Sequence, residues 1–220
     1  MIVAYFWRIK PSALPFAMAA MAFDRFALRS SKNVGFFKSL GTGRGETFTP
    51  RDANPLRWGL IAKVNDIDAF DSCFVVKQWR KNCVEEFRAV LEPISSHGKW
   101  SKQEPFTSSI REWDGQIVAI TRARIKPSQN FRFWQAVPPV TTSLQSSPGL
   151  ISAIGIGEAP IGLQGTFSIW ESSAALKDFA YRGEAHNAAI AATKKYSWYS
   201  EELFSRFALR DIRGSINTKT

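Results

Sequence analysis

The pentapeptide RIKPS stands at residues 8–12 and returns, letter for letter, at 124–128, an offset of 116. Five residues could coincide by chance, so the surroundings decide whether the chain is duplicated. GFFKSLGTG (35–43) matches GLISAIGIG (149–157) at an offset of 114, each an apolar run closed by Gly-x-Gly. EEF at 85 recurs as EEL at 201, again at 116. Between these markers, RWGLIAKVNDIDAF (57–70) and GTFSIWESSAALKDF (165–179) share an apolar strand, a cap region and a helix reaching Phe70 or Phe179. Matches in one order at nearly one offset imply an internal repeat.

Each copy reads as strand, helix, strand, strand, helix, strand. IVAYFWRI (2–9) is β-rich and stopped by Pro11, and LPFAMAAMAFDRFAL (14–28) has the alanine content of a helix. Strands near 34–41 and 57–64, a helix near 66–81 and a strand near 84–94 complete the first copy. The second copy places strands near 116–126, 150–156, 164–171 and 201–212, with helices near 130–138 and 172–195. This is the βαββαβ order of the ferredoxin-like unit. Two tandem units in one chain predict an α+β protein whose half-sheets close into a dimeric-α/β-barrel-type fold, helices outside. The expected division is a first repeat over 1–96, a linker over 97–115, a second repeat over 116–213 and a tail over 214–220.

Composition narrows the setting. The 220 residues are 45% apolar, enough for a sizeable core, and 29 Lys and Arg against 19 Asp and Glu give a net charge of +10. The excess is spread over both halves without a basic tail, which argues for a generally basic surface and against a nucleic-acid-binding arm. Cys73 and Cys83 form no CxxC and no disulfide framework, which suggests a reduced, cytoplasmic location. KPSALPFAMAAMAF (10–23) mimics a signal-peptide core but carries Pro11 and Pro15. The longest apolar run falls short of the ~18 residues of a membrane span.

GTGRGETFTP (41–50) invites a phosphate-loop reading, but it lacks the GK[ST] ending. The matching GIGE in the second copy points instead to Gly41 and Gly43 serving a strand end. Nucleophile elbows, HExxH pairs and telling carboxylate pairs are missing from the sequence. There are two histidines: His97 in the expected linker, read as a surface residue, and His186 in DFAYRGEAHNAAI (178–190). If 172–195 is helical, Phe179, Gly183, His186 and Ile190 share the stripe turned toward the sheet. Spacing alone is met by a hydrogen-bonded core histidine; equally, Gly183 would leave room for a flat cofactor beside His186.

The chain also resembles the spheroidene monooxygenases, bacterial carotenoid ketolases. The resemblance rests on LGTGRGETFTP (40–50), RWGLIA (57–62), LEPISSHGKWSKQEPF (91–106), TRARIKP (121–127), GLISAIGIGEAPIGLQGTFSIW (149–170), FAYRGEAHNAAI (179–190) and EELFSRF (201–207). It implies a haem b-dependent enzyme that hydroxylates an acyclic carotenoid twice at C-2 to give a 2-ketone, using O2 and a reduced ferredoxin. Carried over by motif, His186 is the axial haem ligand, with Gly183, Phe179, Trp170, Tyr181 and Arg182 around the cofactor. Arg44 is the expected catalytic cation. A carotenoid substrate further implies transient contact with the inner membrane surface. A haem-binding or cofactor-free barrel of another function is the alternative on the same fold.

Overall fold

In a computed structural model the chain is described over residues 1–47, 52–158, 165–182, 193 and 196–216. The first repeat runs β1 (Ile2–Ile9), α1 (Leu14–Ser30), β2 (Val34–Gly43), β3 (Ala53–Val64), α2 (Ile67–Asp71), α3 (Phe74–Asn82) and β4 (Cys83–Gly98). The second runs β5 (Ile117–Ile125), α4 (Asn130–Gln145), β6 (Leu150–Gly157), β7 (Gly165–Trp170), α5 (Ser173–Arg182) and β8 (Tyr199–Arg213). All strand pairs are antiparallel, and the sheet closes in the order β1-β3-β2-β6-β7-β5-β8-β4. Each repeat therefore keeps the ferredoxin-like order 4-1-3-2, and the molecule is the expected α+β barrel of two tandem units.

The repeat extends to details of the ladder. The arginine of each RIKPS pairs with the first glutamate of the EE motif, Arg8 with Glu85 and Arg124 with Glu201, and each register slips immediately afterwards. Gly98 and Gly214, 116 residues apart, end the fourth strands at φ of 91° and 74°. A Cβ at Gly98 would collide with the carbonyl of Glu202, and one at Gly214 with that of Glu86, so each repeat crosses the other's EE motif through a glycine. The joints between repeats are unequal. β4 and β8 pair from Arg88↔Arg213 to Gly98↔Leu203, whereas β2 meets β6 only at Gly41↔Gly157 and Thr42↔Ile156. The Gly-x-Gly motifs thus form the short seam, and β2 shifts register at Gly41/Thr42, the strand-end role expected from the sequence.

Alternation along each strand divides the apolar residues into three cores. Ile2, Ala4 and Phe6 of β1 point into the barrel with Phe87, Phe167 and Phe207. Trp100 and Phe106, from the segment between the repeats, also enter it, and Phe106 meets Phe207 edge-on at 5.1 Å. The barrel is packed by side chains and is not a channel. Val3, Tyr5 and Trp7 face outward beneath α1, α2 and α3, while Ile117, Ala119 and Trp170 face outward beneath α4 and α5.

Three elements differ from the sequence reading. The single helix over 66–81 is two, broken at Ser72 and Cys73 after a short turn capped by Asp66, whose side chain accepts from the Ala69 N–H at 2.9 Å. The helix over 130–138 runs on to Gln145 through Pro138 and Pro139. Both prolines lie on the exposed face, where carbonyls that lose an N–H partner meet water. β4 continues past Ile94, so His97 is an exposed strand residue paired with Phe204.

Candidate functional site

The duplication supplies an internal control, because each outward position of one half-sheet has a counterpart in the other. In the first repeat this layer is filled by aromatic rings. Tyr5 stacks on Trp7 at 4.9 Å, Trp7 on Trp79 at 5.1 Å, and Phe16 meets Trp79 edge-on at 5.2 Å. Tyr5 and Trp7 are both 0% exposed. Their polar tips are satisfied: the Trp7 indole donates to Glu86 at 2.8 Å, the Trp79 indole to Asp24 at 2.8 Å, and the Tyr5 hydroxyl to Asp71. Burial, reinforced by Asp71, pushes the Tyr5 hydroxyl above its ordinary titration range.

In the second repeat the same positions are small. Tyr5 pairs with Leu60 and Val3 with Ala62; the corresponding pairs are Thr121 with Thr166 and Ala119 with Ser168. Ala123 stands where Trp7 does. Thr121, Ala123 and Thr166 remain half-buried in mid-sheet, and Gly155 beside Thr166 adds no side chain. From Ala119 to Ala123 this floor is about 13 Å long, and across β6, β7 and β5 about 10 Å wide. Above it, α4 presents Phe133, Val137, Val140 and Leu144 at +4, +3 and +4, one stripe of the helix. Leu144 is buried, whereas Phe133, Val137 and Val140 are half-buried. Small residues in the sheet and half-buried apolar residues on α4 mark out a candidate slot among the described residues, while 183–192, the counterparts of α2 and the start of α3, lie outside them.

Aromatic rings stand at its two ends. At one, Phe179 of α5 stacks on Trp170 of β7 at 5.3 Å, and the Trp170 indole donates to Ser168 Oγ at 2.9 Å. At the other, Phe133 meets Trp198 at 5.8 Å and Tyr199 at 5.9 Å. Trp198 is 3% exposed and its indole nitrogen has no hydrogen-bond partner. Burial pushes the Tyr199 hydroxyl upward.

The first repeat contributes one edge. After β2, the backbone N–H groups of Gly45, Glu46 and Thr47 converge on Asp52 Oδ2 at 3.0, 3.0 and 3.3 Å. This nest is filled by the chain's own carboxylate, which disposes of the phosphate-loop reading. The loop crosses the seam onto α4: Gln145 donates to the carbonyls of Gly45 and Glu46 at 2.8 and 2.9 Å, and Thr141 to that of Thr47 at 3.2 Å. Arg44 is exposed at the start of this loop, its N–H bonded to the Asp52 carbonyl at 2.9 Å.

The structure thus brings Trp170 and Phe179 into contact and places Arg44 on a loop bound to α4. Tyr181 and Arg182 end α5, with side chains outside the described residues, and Gly183 and His186 lie outside them altogether. Sequence reasoning missed the floor residues Thr121, Ala123 and Thr166 and the far-end aromatics Phe133, Trp198 and Tyr199. Aligning AYFWRIKPS with ITRARIKPS would have exposed the floor.

Arg122 was also missed. Its side chain is 2% exposed inside one end of the barrel, paired with Glu201 and with Glu158 at 3.2 Å, and Lys38 lies 3.2 Å from Glu158. The Trp100 indole also donates to Glu158. Burial opposes ionisation of Glu158, but Arg122 and Lys38 outweigh it and hold the carboxyl below its ordinary value. Glu201 is held low in the same way by backbone N–H groups of Lys102 and Ser101 and by Arg122, against its burial. Among the described residues no three His, Cys, Asp or Glu side chains gather to hold a metal ion.

Fold and slot together define a single-chain dimeric-α/β-barrel protein with one modified helix layer. The aldoxime dehydratase structure solved with butyraldoxime shares this fold, with a TM-score of 0.58 over 96% of this chain and 79% of that one at 9% identity. No family model matches the chain. It is 36% identical over 211 residues to the spheroidene monooxygenase of Rhodobacter capsulatus, covering 93% of this chain and 87% of that protein. It is 38% identical over 201 residues to the spheroidene monooxygenase of Rubrivivax gelatinosus, covering 87% and 77%. The chain belongs to the spheroidene monooxygenase family and is an enzyme of the monooxygenase class.

Proposed function

We propose that the protein is a haem b-dependent monooxygenase of acyclic carotenoids, with the cofactor in the second-repeat slot. The observation that carries this reading is the replacement of the buried Tyr5–Trp7 stack by the half-buried Thr121 and Ala123. A macrocycle that brings its own four nitrogens needs a single axial side chain, and in this reading His186 provides it. When bound, haem supplies the O2-activating iron that lets oxygen be inserted into an unactivated C–H bond.

The protein's own groups do the rest. The apolar residues of α4 and the Trp170–Phe179 pair keep water from the reacting carbon. In this reading Gly183, Tyr181 and Arg182 would be the residues near the macrocycle beside His186, and Arg44 would supply a cation at its edge. As the ligand, His186 would need a hydrogen-bond acceptor at its second nitrogen to fix its tautomer and basicity. The substrate is hydroxylated at C-2, and a second hydroxylation at that carbon gives a gem-diol that loses water to the ketone. Each round consumes one O2, two protons and two electrons from reduced ferredoxin, and releases the second oxygen atom as water. The net charge of +10 supports steering of an acidic donor.

Contact with a membrane surface is supported by Met18, Phe23 and Phe26, 50%, 67% and 55% exposed on α1 beside the exposed Arg25 and Arg29. Among the described residues no helix is long and apolar enough to cross a membrane. The decisive test is the spectrum. Protein purified from haem-supplemented cells shows a Soret band that is lost in His186→Ala while the circular dichroism is retained, and converts an acyclic carotenoid to its ketone. A folded, colourless wild-type protein would refute the haem reading.

A further inference from the structure

The second repeat has lost aromatic residues from the floor of the slot and gained them at one end. Phe131, Phe133, Trp134, Tyr196, Trp198 and Tyr199 occupy the positions held in the first repeat by Pro15, Ala17, Met18, Arg80, Asn82 and Cys83. The last correspondence is fixed by the ladder, since Ile125 pairs with Tyr199 as Ile9 does with Cys83. Five of the six rings touch in sequence: Phe133 meets Trp134 at 4.8 Å and Trp198 at 5.8 Å, and Trp198 stacks with Tyr196 at 6.5 Å. Exposure falls from 75% at Phe131 and 39% at Tyr196 to 3% at Trp198. A core cluster has no need of this gradient from solvent to slot. Arg132 sits over the Tyr196 ring at 5.0 Å, so the charge at the lip is turned onto an aromatic face.

We propose that this aromatic passage, from Phe131 at the lip to Trp198 at the base, admits an extended polyene end-on into the slot. The proposal rests on the carotenoid reading and adds where the substrate enters and what recognises it. A conjugated chain is flat, rigid and uncharged, which suits ring faces that offer stacking area without charged groups. The passage ends on one unpaired polar group, the Trp198 indole N–H. An alcohol can accept from it, so the alcohol left by a first hydroxylation would be held for the second, while a pure hydrocarbon leaves the N–H unpaired.

The experiment uses the full chain, with an acyclic carotene and its monohydroxylated derivative in detergent micelles as probes, and quenching of tryptophan fluorescence as the readout. Phe131→Ser and Tyr196→Ser each weaken both probes roughly tenfold. Phe74→Ser, at a 69% exposed position on α3 of the first repeat, does not. Trp198→Phe keeps a ring but removes the N–H, and weakens only the hydroxylated probe, by roughly fivefold. The Soret spectrum is followed in every variant and stays as in the wild type. If Phe131→Ser and Tyr196→Ser bind both probes as the wild type does, the passage is wrong and the carotenoid reading stands. If Trp198→Phe weakens both probes alike, the alcohol-holding role is overturned. Wild-type protein that binds neither probe overturns the carotenoid reading and the passage with it.

Discussion

Transplanting one ring from the first repeat into the second tests the slot directly. Ala123→Trp puts an indole where the first repeat has Trp7, which is 0% exposed. Full burial of a tryptophan removes roughly 150–250 Å² from water, about 4–6 kcal/mol at about 25 cal/mol/Å². Ala123 is half-buried where Trp7 is fully buried, so about half of this is realised, and ordering the side chain takes back on the order of 1 kcal/mol. The variant without haem should thus be about 1–2 kcal/mol more stable than the wild type in urea denaturation. A haem titration should show uptake weakened roughly five- to thirtyfold, because the ring must be expelled first. The reciprocal change, Trp7→Ala, opens a cavity in a filled layer and costs about 3–5 kcal/mol. Opposite signs at equivalent positions are the signature of the slot. If Ala123→Trp instead destabilises the protein by about 1–3 kcal/mol, as overpacking does, or takes up haem as readily as the wild type, the layer is already filled and the reasoning fails.

Arg122→Met strands Glu158 and Glu201; because these side chains are 24% and 13% exposed, the loss in a urea titration at pH 7 should sit near the low end for a broken buried pair, about 3 kcal/mol. Both glutamates titrate below their ordinary value of 4.5, so their contribution is present above that value and is lost as pH falls through the lower folded values. Acid titrations should show a decline below about pH 4.5 that is shallower in Arg122→Met. Asp52→Ala releases the N–H groups of Gly45, Glu46 and Thr47, which should cost about 1–3 kcal/mol and speed amide exchange in residues 44–47. Gly98→Ala, at φ of 91° and against the Glu202 carbonyl, should lower the thermal midpoint by several degrees, whereas Gly35→Ala, with nothing within 4 Å, should leave it nearly unchanged.

The barrel was legible because its signals are local and repeated. RIKPS, the Gly-x-Gly runs and the EE pairs each mark a strand boundary, and their common offset carries the topology without knowledge of any contact. The end of α4 was not legible, because a Pro-Pro pair stops a helix only where the freed carbonyls lack water, and exposure is a tertiary property. Arg122 escaped for a similar reason. Its partners are Glu201 of β8 and Glu158 just after β6, and Arg122 and Arg124 share one face of β5, so only their depth along the strand, a tertiary property, separates the buried arginine from the exposed one. Of the site residues, Trp170 and Phe179 are joined by the fold and Arg44 is carried to α4. The roles of His186 and Gly183 rest on sequence resemblance.

Duplication also explains how a layer of small residues is tolerated. A half-sheet that carries half-buried Thr121, Ala123 and Thr166 forgoes the apolar burial that Tyr5, Trp7 and Leu60 provide in its twin. Such a layer standing alone would be marginal, but here it is tied to the filled repeat. The long β4–β8 ladder and a barrel interior packed from both halves mean that opening the second layer does not open the first. The first repeat thus holds more of the stability, and in the haem reading the second holds the cofactor. Substitutions in the Tyr5–Trp7–Trp79 stack should therefore lower the denaturation midpoint with little effect on the Soret spectrum of the protein that remains folded, and substitutions on the Thr121–Ala123 floor should do the reverse.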